Sequence, residues 1–292
     1  MILPVTDAER LRLREKPRAL PLMRQQWNHL AFLHWTVDPV ELSALLPPGV
    51  ELDTWQGKAY VGIVPFEIRR SRAVCLPPIP GTANFNELNV RTYVHRRGRD
   101  PGVWFFSLDA TSQLAVWGAR AVYKLPYFHA SIALVRSQQR TSFSSIRTGS
   151  DRRPHFACSY EPASAPAEAS PGTLEFFLIE RYLLYSWDGR RLRKARVWHR
   201  PYPVSAARID GLSQTVAAAA RIDLAPDAVP LAHHAEGVDV RIYPPSLVRQ
   251  PRDRPVASLL VPDEGFVPER ELGGVVAQSF QEIPFARRLA NR

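Results

Sequence analysis

Cysteine is nearly absent from the chain, which carries only Cys75 and Cys158 in 292 residues. Two cysteines cannot build a disulfide framework or a four-ligand zinc site, so we expect reduced thiols, as in cytoplasmic proteins. No apolar run approaches the about 18–20 residues that span a membrane, and the N-terminus lacks the apolar stretch and cleavage site of a signal peptide. These absences predict a cytoplasmic protein that has no membrane partner.

The common catalytic motifs are also missing. The sequence contains no nucleophile-elbow, zinc-protease, phosphate-loop or dinucleotide-binding pattern. His233 and His234 are adjacent, so in a strand they would point to opposite faces and would not chelate one ion. We therefore predict no metal site and no cofactor.

Lysine is scarce, because only four of the 38 basic residues are lysines and the net charge of +10 comes mainly from arginine. The arginines lie in short clusters near turns and tails. Nucleic-acid binders instead gather basic residues on one face and interleave them with aromatic residues. The charge therefore indicates a solvated basic surface, and we predict no nucleic-acid partner.

Proline is frequent, with 27 residues, while glycine numbers only 15. Frequent proline disfavours long helices and favours a sheet protein with many turns. Alternation and turn signals predict strands over residues 27–35, 51–55, 59–64, 87–95, 103–110, 129–135, 174–187, 192–198 and 238–243. Capping residues and helical spacing predict helices over residues 7–15, 39–46, 113–124 and 214–221.

The distribution of these elements predicts one domain. It is an antiparallel β domain over residues 22–248 that contains two or three helices. A charged leader (1–21) precedes it, and a Pro/Arg/Glu-rich tail with little periodicity (249–292) follows it. Residues 161–173 have low complexity and are interpreted as a loop insertion.

One predicted strand, residues 87–95, carries a polar face. Because strands have a period of two, Glu87, Asn89 and Arg91 share that face. In the next predicted strand, Ser107 and Asp109 share a face. The two strands could present a polar wall, and either a solvent-facing sheet or the interior of a barrel around a small ligand would account for it.

Several segments resemble the YqjF-like bacterial family of unknown function: FNELNVRTYV (85–94), GVWFFSLDA (102–110), ARAVYKLPYF (119–128), HWTVDP (34–39), LPPG (46–49), VPF (64–66), ERY (180–182), HRPYP (199–203) and VDV (238–240). That family is placed in the acetoacetate decarboxylase-like superfamily. The resemblance implies a mainly β (α+β) fold, an antiparallel β-barrel or cone with two or three helices. It also implies a polar interior that holds a small carbonyl or carboxylate ligand.

The resemblance carries residue roles only in part. The superfamily's catalytic glutamate falls on Glu87, and its two lysines fall on Tyr127 and Phe128. One of those lysines forms the Schiff base in the decarboxylase, and neither Tyr127 nor Phe128 can form an imine. The nearest lysine, Lys124, is predicted at the end of a helix, where lysine commonly favours the helix dipole and faces water.

The leading hypothesis is a pocket that binds a small organic acid or carbonyl compound without Schiff-base chemistry. The alternative is a lyase or decarboxylase-like enzyme that uses Glu87 as acid or base, with a Schiff base on Lys124 as the less favoured variant. Candidate catalytic residues are Glu87 and Tyr127, the latter as a hydrogen-bond donor. Candidate ligand-binding residues are Asn89, Arg91, Ser107, Asp109, Arg120 and His199.

Two of these candidates have competing structural interpretations. Asp109 could instead cap the helix that begins near Gln113, and His199 could be a rim histidine bonded to the backbone. A homo-oligomer is possible.

Overall fold

Strands dominate the described part of the chain. The structure is a computed structural model that describes residues 4–248, except residues 78, 150 and 226. The strands are β1 (Met23–Val37), β2 (Glu51–Leu52), β3 (Ala59–Ala73), β4 (Phe85–Arg96), β5 (Arg99–Ala110), β6 (Tyr127–Ser137), β7 (Arg140–Arg147), β8 (His155–Pro162), β9 (Ala167–Glu168), β10 (Leu183–Trp187), β11 (Leu192–His199), β12 (Pro203–Gln214), β13 (Leu231–Ile242) and β14 (Ser246–Leu247). The helices are α1 (Asp7–Arg14), α2 (Pro39–Ala44), α3 (Gln113–Tyr123), α4 (Leu174–Ile179) and α5 (Val216–Ala219).

The mainly β prediction is confirmed, but the two or three helices predicted within residues 22–248 become four among the described residues, and the helix predicted over 7–15 precedes them as α1. The predicted tail, residues 249–292, lies outside the described residues. No helix in the described ranges combines the length and the apolar character needed to cross a membrane.

The sheet closes on itself. One closed path of hydrogen-bonded strands runs β5–β10–β11–β13–β1–β3–β4 and back to β5. A second path leaves β5 through β6, β7, β8 and β12 and rejoins at β13. Most pairings are antiparallel, but β5 pairs in parallel with both β6 and β10. Both paths include the strands β13, β1, β3, β4 and β5. One face of each shared strand therefore points toward β10 and β11, and the other points toward β6, β7, β8 and β12.

Two hydrophobic cores result from these shared strands. On β4, Leu88 and Val90 pack in the core that β6, β7 and β8 cover. Phe85 and Tyr93 belong to the other core, with Phe177 of α4. Because β4 is covered on both faces, nearly all of its residues are buried, polar ones included. Glu87, Asn89 and Arg91 are therefore inside the protein, and the solvent-facing alternative does not apply to them.

The predicted strand over 174–187 is wrong in its first half. Residues 174–179 form α4, whose Thr173 cap accepts a hydrogen bond from Phe176 N. The run from Phe176 to Ile179 is buried throughout. A short, uniformly apolar run fits a buried helix as well as a buried strand, so periodicity could not separate them.

The predicted strands over 51–55 and 59–64 flank a turn at Gln56-Gly57, but they do not pair as a hairpin. β2 pairs with β4, with Glu51 opposite His95, and only an isolated bridge between Trp55 and Lys58 links the two predicted strands. In the same way, residues 167–168 of the predicted loop insertion form β9, which pairs with β12. The predicted helix over 214–221 is shorter and follows Thr215.

The N-terminal leader packs onto the sheet over its described part. In α1, the side chains of Arg10 and Leu13 are buried. The Arg10 guanidinium forms two hydrogen bonds to Asp53, at 2.7 and 2.9 Å. A buried, bidentate ion pair of this kind joins α1 to the segment between β2 and β3.

A substitution at Gly102 on β5 tests the parallel contact between β5 and β10. A Cβ atom at this position would lie 2.6 Å from the Leu183 carbonyl oxygen, which is backbone. We expect Gly102→Ala to push β10 away and to lower the free energy of unfolding by roughly 1–3 kcal/mol. Urea unfolding measures this change.

Gly118→Ala is the matched control, because an added Cβ there meets no atom within 4 Å. In the interior of α3 it should stabilise the protein by about 0.5–1 kcal/mol. Equal unfolding midpoints for the two variants would contradict the close approach of β5 and β10.

Candidate functional site

A cavity of ≈ 480 Å³ lies on the side of the shared strands that β10 and β11 cover. Its walls come from β1, β3, β4, β5, β10 and β11, with α3 alongside, and most lining side chains are apolar. Leu22, Ile79, Leu114 and Val122 line it and are also exposed, so the cavity opens near α3. The polar lining residues Glu87, Asn89 and Arg91 are all buried and lie away from this opening.

Glu87 and Tyr127 form a buried pair at the cavity wall. Tyr127 is the first residue of β6, and its Oη donates a hydrogen bond to Glu87 Oε2 at 2.8 Å. Burial raises the pKa of Glu87 to about 8, against the lowering effect of this hydrogen bond, and the charge of Asp109 raises it further. Burial also raises the pKa of the Tyr127 hydroxyl. At neutral pH, Glu87 is therefore mainly a neutral carboxylic acid.

Asn89 and Arg91 continue the same face of β4. Asn89 Oδ1 and Arg91 Nε are buried and have no hydrogen-bond partner among the described residues. Arg91 Nη2 donates a long hydrogen bond, 3.4 Å, to Leu178 O, and the guanidinium lies over the rings of Phe32 and Tyr93. Within the described ranges, no carboxylate lies within 4 Å of Arg91. The cavity thus contains a cation whose charge is not balanced by a direct partner.

Arg181 is a second guanidinium in the cavity wall, and residue patterns did not select it. Its Nη1 donates to Asp53 Oδ2 at 2.8 Å and its Nε to Phe177 O at 2.8 Å, while Nη2 has no partner among the described residues. Burial lowers the pKa of Arg181 to about 10, although Asp53 opposes this effect. Arg181 therefore stays charged at neutral pH.

Asp53 holds this guanidinium in place. Burial by itself raises the pKa of Asp53, but the charges of Arg181 and Arg10 outweigh that effect and leave it lowered. One carboxylate shared by two guanidiniums leaves the cluster with a net positive charge. The signal that could have identified Arg181 was the ERY segment (180–182), which carried part of the family resemblance but no role.

Ser107 and Asp109 do not line the cavity, contrary to the expected polar wall. The pairing of β4 with β5 shifts between Val90–Ser107 and Arg91–Phe105, so β5 contains an extra residue there. Such a bulge reverses the alternation beyond it, and Phe105 and Leu108 both line the cavity. Simple alternation could not predict this reversal.

Asp109 instead faces a different partner. Its Oδ1 accepts a hydrogen bond from Arg147 Nε of β7 at 2.9 Å and lies 2.8 Å from Nη2 of the same guanidinium, which completes an ion pair. Burial raises the pKa of Asp109 despite this pairing. The cap of α3 is Ser112, whose Oγ accepts from Ala115 N, so the alternative capping role of Asp109 is wrong.

Arg120 lies on the outside of α3 and does not line the cavity. Its Nε donates to the backbone carbonyl of Tyr127 at 2.6 Å, and its guanidinium lies over Phe128. Arg120 therefore fixes the main chain at Tyr127 from the solvent side.

His199 is buried outside the cavity lining. Its Nδ1 contacts Arg200 O at 2.7 Å, and its ring stacks on Tyr182. Burial lowers the pKa of His199 to about 4, so the ring is neutral near pH 7. These contacts match the structural alternative, a histidine bonded to the backbone.

None of the chain's four lysines, all of which lie in the described ranges, lines the cavity. Lys124 is exposed and caps the C-terminus of α3 with a φ of 56°. In the part of the chain that the structure describes, no three histidine, cysteine or acidic residues are grouped closely enough to hold a metal ion.

Comparison with known proteins places this chain in a family. The model of DUF2071, described as an uncharacterized conserved protein, matches residues 24–239. The chain belongs to this family. It is 40% identical over 228 residues to the uncharacterized protein YqjF of Bacillus subtilis (strain 168). The aligned region covers 78% of this chain and 93% of that protein. The predicted YqjF-like resemblance is confirmed.

Solved structures show the fold of this DUF2071 member. Acetoacetate decarboxylase from Legionella pneumophila is similar with a TM-score of 0.56 and 15% identity, over 80% of this chain and 92% of that one. An acetoacetate decarboxylase-like enzyme from Sphingomonas wittichii RW1 is similar with a TM-score of 0.54 and 15% identity, over 79% of this chain and 94% of that one. The enduracididine biosynthesis enzyme MppR, complexed with pyruvate, is similar with a TM-score of 0.54 and 16% identity, over 80% of this chain and 93% of that one. The fold is therefore acetoacetate decarboxylase-like, as predicted.

Burial of Glu87 predicts a stability that falls as the pH rises. In the unfolded chain the carboxyl ionises near its ordinary value of 4.5, whereas the folded protein retains the proton to about pH 8. The unfolded state binds fewer protons between these values, so unfolding becomes easier with rising pH, by about 3–5 kcal/mol in total from this group.

Urea unfolding of Glu87→Gln and wild type at pH 5, 6.5, 8 and 9 measures this effect. The variant should gain stability relative to wild type as the pH rises, with the difference levelling off above pH 8. The exposed Glu41 supplies the control, since Glu41→Gln should show no such growing difference. A constant difference between Glu87→Gln and wild type would contradict the raised pKa.

Proposed function

We propose that the cavity binds a small organic acid or carbonyl compound and holds its carboxylate through Arg91, with Arg181 nearby. The observation that carries this proposal is the buried Arg91, which lines the cavity and has no carboxylate within 4 Å among the described residues. A buried and uncompensated charge costs several kcal/mol. An anionic ligand would offset that cost and would occupy the free Nε donor.

The protonation state of the neighbours supports an anion at this position. Glu87 is mainly neutral at pH 7, so it does not balance the positive charges of Arg91 and Arg181. A neutral carboxyl group can also donate a hydrogen bond to a carbonyl oxygen of the ligand or accept one from a ligand hydroxyl. Asn89 Oδ1 adds a free acceptor beside it. This combination suits a carboxylate with a second polar group next to it.

The proposed function includes no imine step. None of the four lysines reaches the cavity wall, and Lys124 lies on the outside at the end of α3. The structurally similar MppR was solved with pyruvate, which supports a keto acid as the kind of molecule that this fold can hold. Recognition here would rest on noncovalent contacts, without a covalent bond to the protein.

The Arg91→Met variant tests this proposal. The probes are pyruvate and butanoate, each compared with its neutral amide, and the readout is the shift of the thermal unfolding midpoint. Ligands that bind only the folded state raise that midpoint. We expect the acids to stabilise wild type, the amides to have little effect, and Arg91→Met to lose the stabilisation.

The unliganded Arg91→Met protein should be at least as stable as wild type, because a buried unpaired charge is removed. Arg120→Met is the matched control, since Arg120 lies outside the cavity, and it should retain the response to acids. Equal stabilisation by acids and amides, or a full response in Arg91→Met, would refute the proposed anion contact.

The alternative function is acid–base catalysis by Glu87, and the Glu87–Tyr127 hydrogen bond at 2.8 Å favours it. A carboxyl group with a pKa of about 8 is present in both protonation states near neutral pH and can both remove and return a proton. The carboxylate form would take a proton from the carbon next to a ligand carbonyl and return it to the same carbon.

Exchange of that carbon-bound hydrogen for deuterium, followed by NMR in D₂O, tests this alternative. We expect pyruvate or 2-oxobutanoate to exchange at least about 100-fold more slowly with Glu87→Gln than with wild type. Glu41→Gln serves again as the control and should exchange at the wild-type rate. A wild-type rate no faster than that of buffer alone would leave ligand binding as the function.

A further inference from the structure

We propose that the ligand is a monocarboxylic acid with an extended apolar body, held with its carboxylate at Arg91 and Arg181 and its body along α3 toward the opening. This inference rests on the proposed function and names the class of acid that the cavity fits. It follows from the distribution of polarity, from the cavity's volume and from the residues that α3 contributes.

The volume exceeds what a three-carbon acid fills. A cavity of ≈ 480 Å³ falls within the range of about 300–1,000 Å³ in which proteins bury larger organic ligands. Pyruvate or acetoacetate would occupy only the polar end and leave apolar surface uncovered. A longer ligand would cover that surface and gain affinity from it.

Polarity is divided between the two ends of the cavity. The buried end contains Glu87, Asn89, Arg91 and Arg181, each less than a tenth exposed, with free polar atoms on three of them. The opening is surrounded mainly by exposed apolar side chains: Leu22, Ile79, Leu114 and Val122. Such an arrangement matches a ligand with one charged end and an apolar remainder.

Two polar residues that are not fully buried also line the cavity: Thr82, which is uncharged and half-buried, and Arg72, which is charged and exposed. The position of Arg72 raises the question of a second carboxylate on the ligand. Exposed arginine is well hydrated and gains little from one more surface ion pair. The apolar neighbours of Arg72 therefore favour an uncharged distal end, and the experiment includes dicarboxylates for this reason.

Helix α3 supplies the space for the apolar body. Ala115, Gly118, Ala119 and Val122 line the cavity, and their spacing puts them on one face of the helix. Three of these four residues are alanine or glycine, the smallest residues in proteins, so they leave more of the cavity volume free beside the helix. An added Cβ at Gly118 meets no atom within 4 Å, which indicates open space beside the helix.

A series of straight-chain acids from butanoate to decanoate tests the inference with the full chain, by titration calorimetry below the concentration at which the acids self-associate. Each methylene that leaves water adds affinity by a factor of about three to four. We expect the affinity to rise by this factor per methylene and then to level off as the chain reaches the opening. Suberate, the dicarboxylate matched to octanoate, should bind more weakly than octanoate.

Two substitutions on α3 form a matched pair. Ala119→Leu fills the cavity wall, so the rise in affinity should stop at a shorter acid, while butanoate binds as to wild type and reports an intact site. Ala121→Leu makes the same change at an exposed position of the same helix that does not line the cavity, and it should keep the wild-type series.

The outcomes separate this inference from the function on which it rests. Affinity that is independent of chain length, with binding still lost in Arg91→Met, would overturn the inference and leave the proposed function intact. Tighter binding of suberate than octanoate, or an equal rise with chain length in Ala119→Leu and Ala121→Leu, would also overturn the inference. Failure of every acid to bind would refute the proposed function itself.

Discussion

Arg91 keeps a positive charge inside the protein, where its guanidinium lies over two aromatic rings and donates one long hydrogen bond to a backbone carbonyl. A guanidinium in such surroundings is poorly solvated, and the fold must supply the free energy that holds it there. In the proposed function, an anion that enters the cavity would offset this cost, and the ligand would become part of the electrostatic balance of the site.

The closed sheet makes this burial possible. Because β4 has covered faces on both sides, its polar residues Glu87, Asn89 and Arg91 are buried and line the cavity instead of the outer surface. The same burial raises the pKa of Glu87 and leaves the group neutral at pH 7. If Glu87 were solvated and ionised, it would compensate Arg91, and the site would no longer favour an anion. The closure of the sheet therefore determines the charge of the site.

A second consequence concerns Arg181, which reaches the cavity from the junction of α4 and β10. Asp53 orients it, and Arg10 of α1 holds the other side of that carboxylate. The N-terminal helix is thereby linked to the cavity wall through one buried ionic cluster. Asp53 and Arg181 lie about 40 and about 170 positions after Arg10 along the chain, yet the three side chains form one cluster. Such contacts between distant residues are common in proteins rich in non-local strand pairing.

Part of this arrangement followed from the sequence by itself. Local rules predicted α1, α2 and α3, since capping residues and helical spacing act over a few positions. The period of two put Glu87, Asn89 and Arg91 on one face of β4, and the absence of lysine at positions 127 and 128 excluded an imine there. The family resemblance implied the barrel-like fold and selected Glu87 and Tyr127 as candidate site residues.

Only the tertiary structure decided which neighbours those residues have. A bulge between Phe105 and Ser107 turned Ser107 and Asp109 away from the cavity, and no local pattern records an extra residue in a strand pair. Arg120 faces outward and Arg181 inward because packing against distant strands, not the residue type, sets the direction of a side chain. Burial itself is a property of the closed sheet, so the neutral Glu87 and the unpaired Arg91 could not be read from one strand alone.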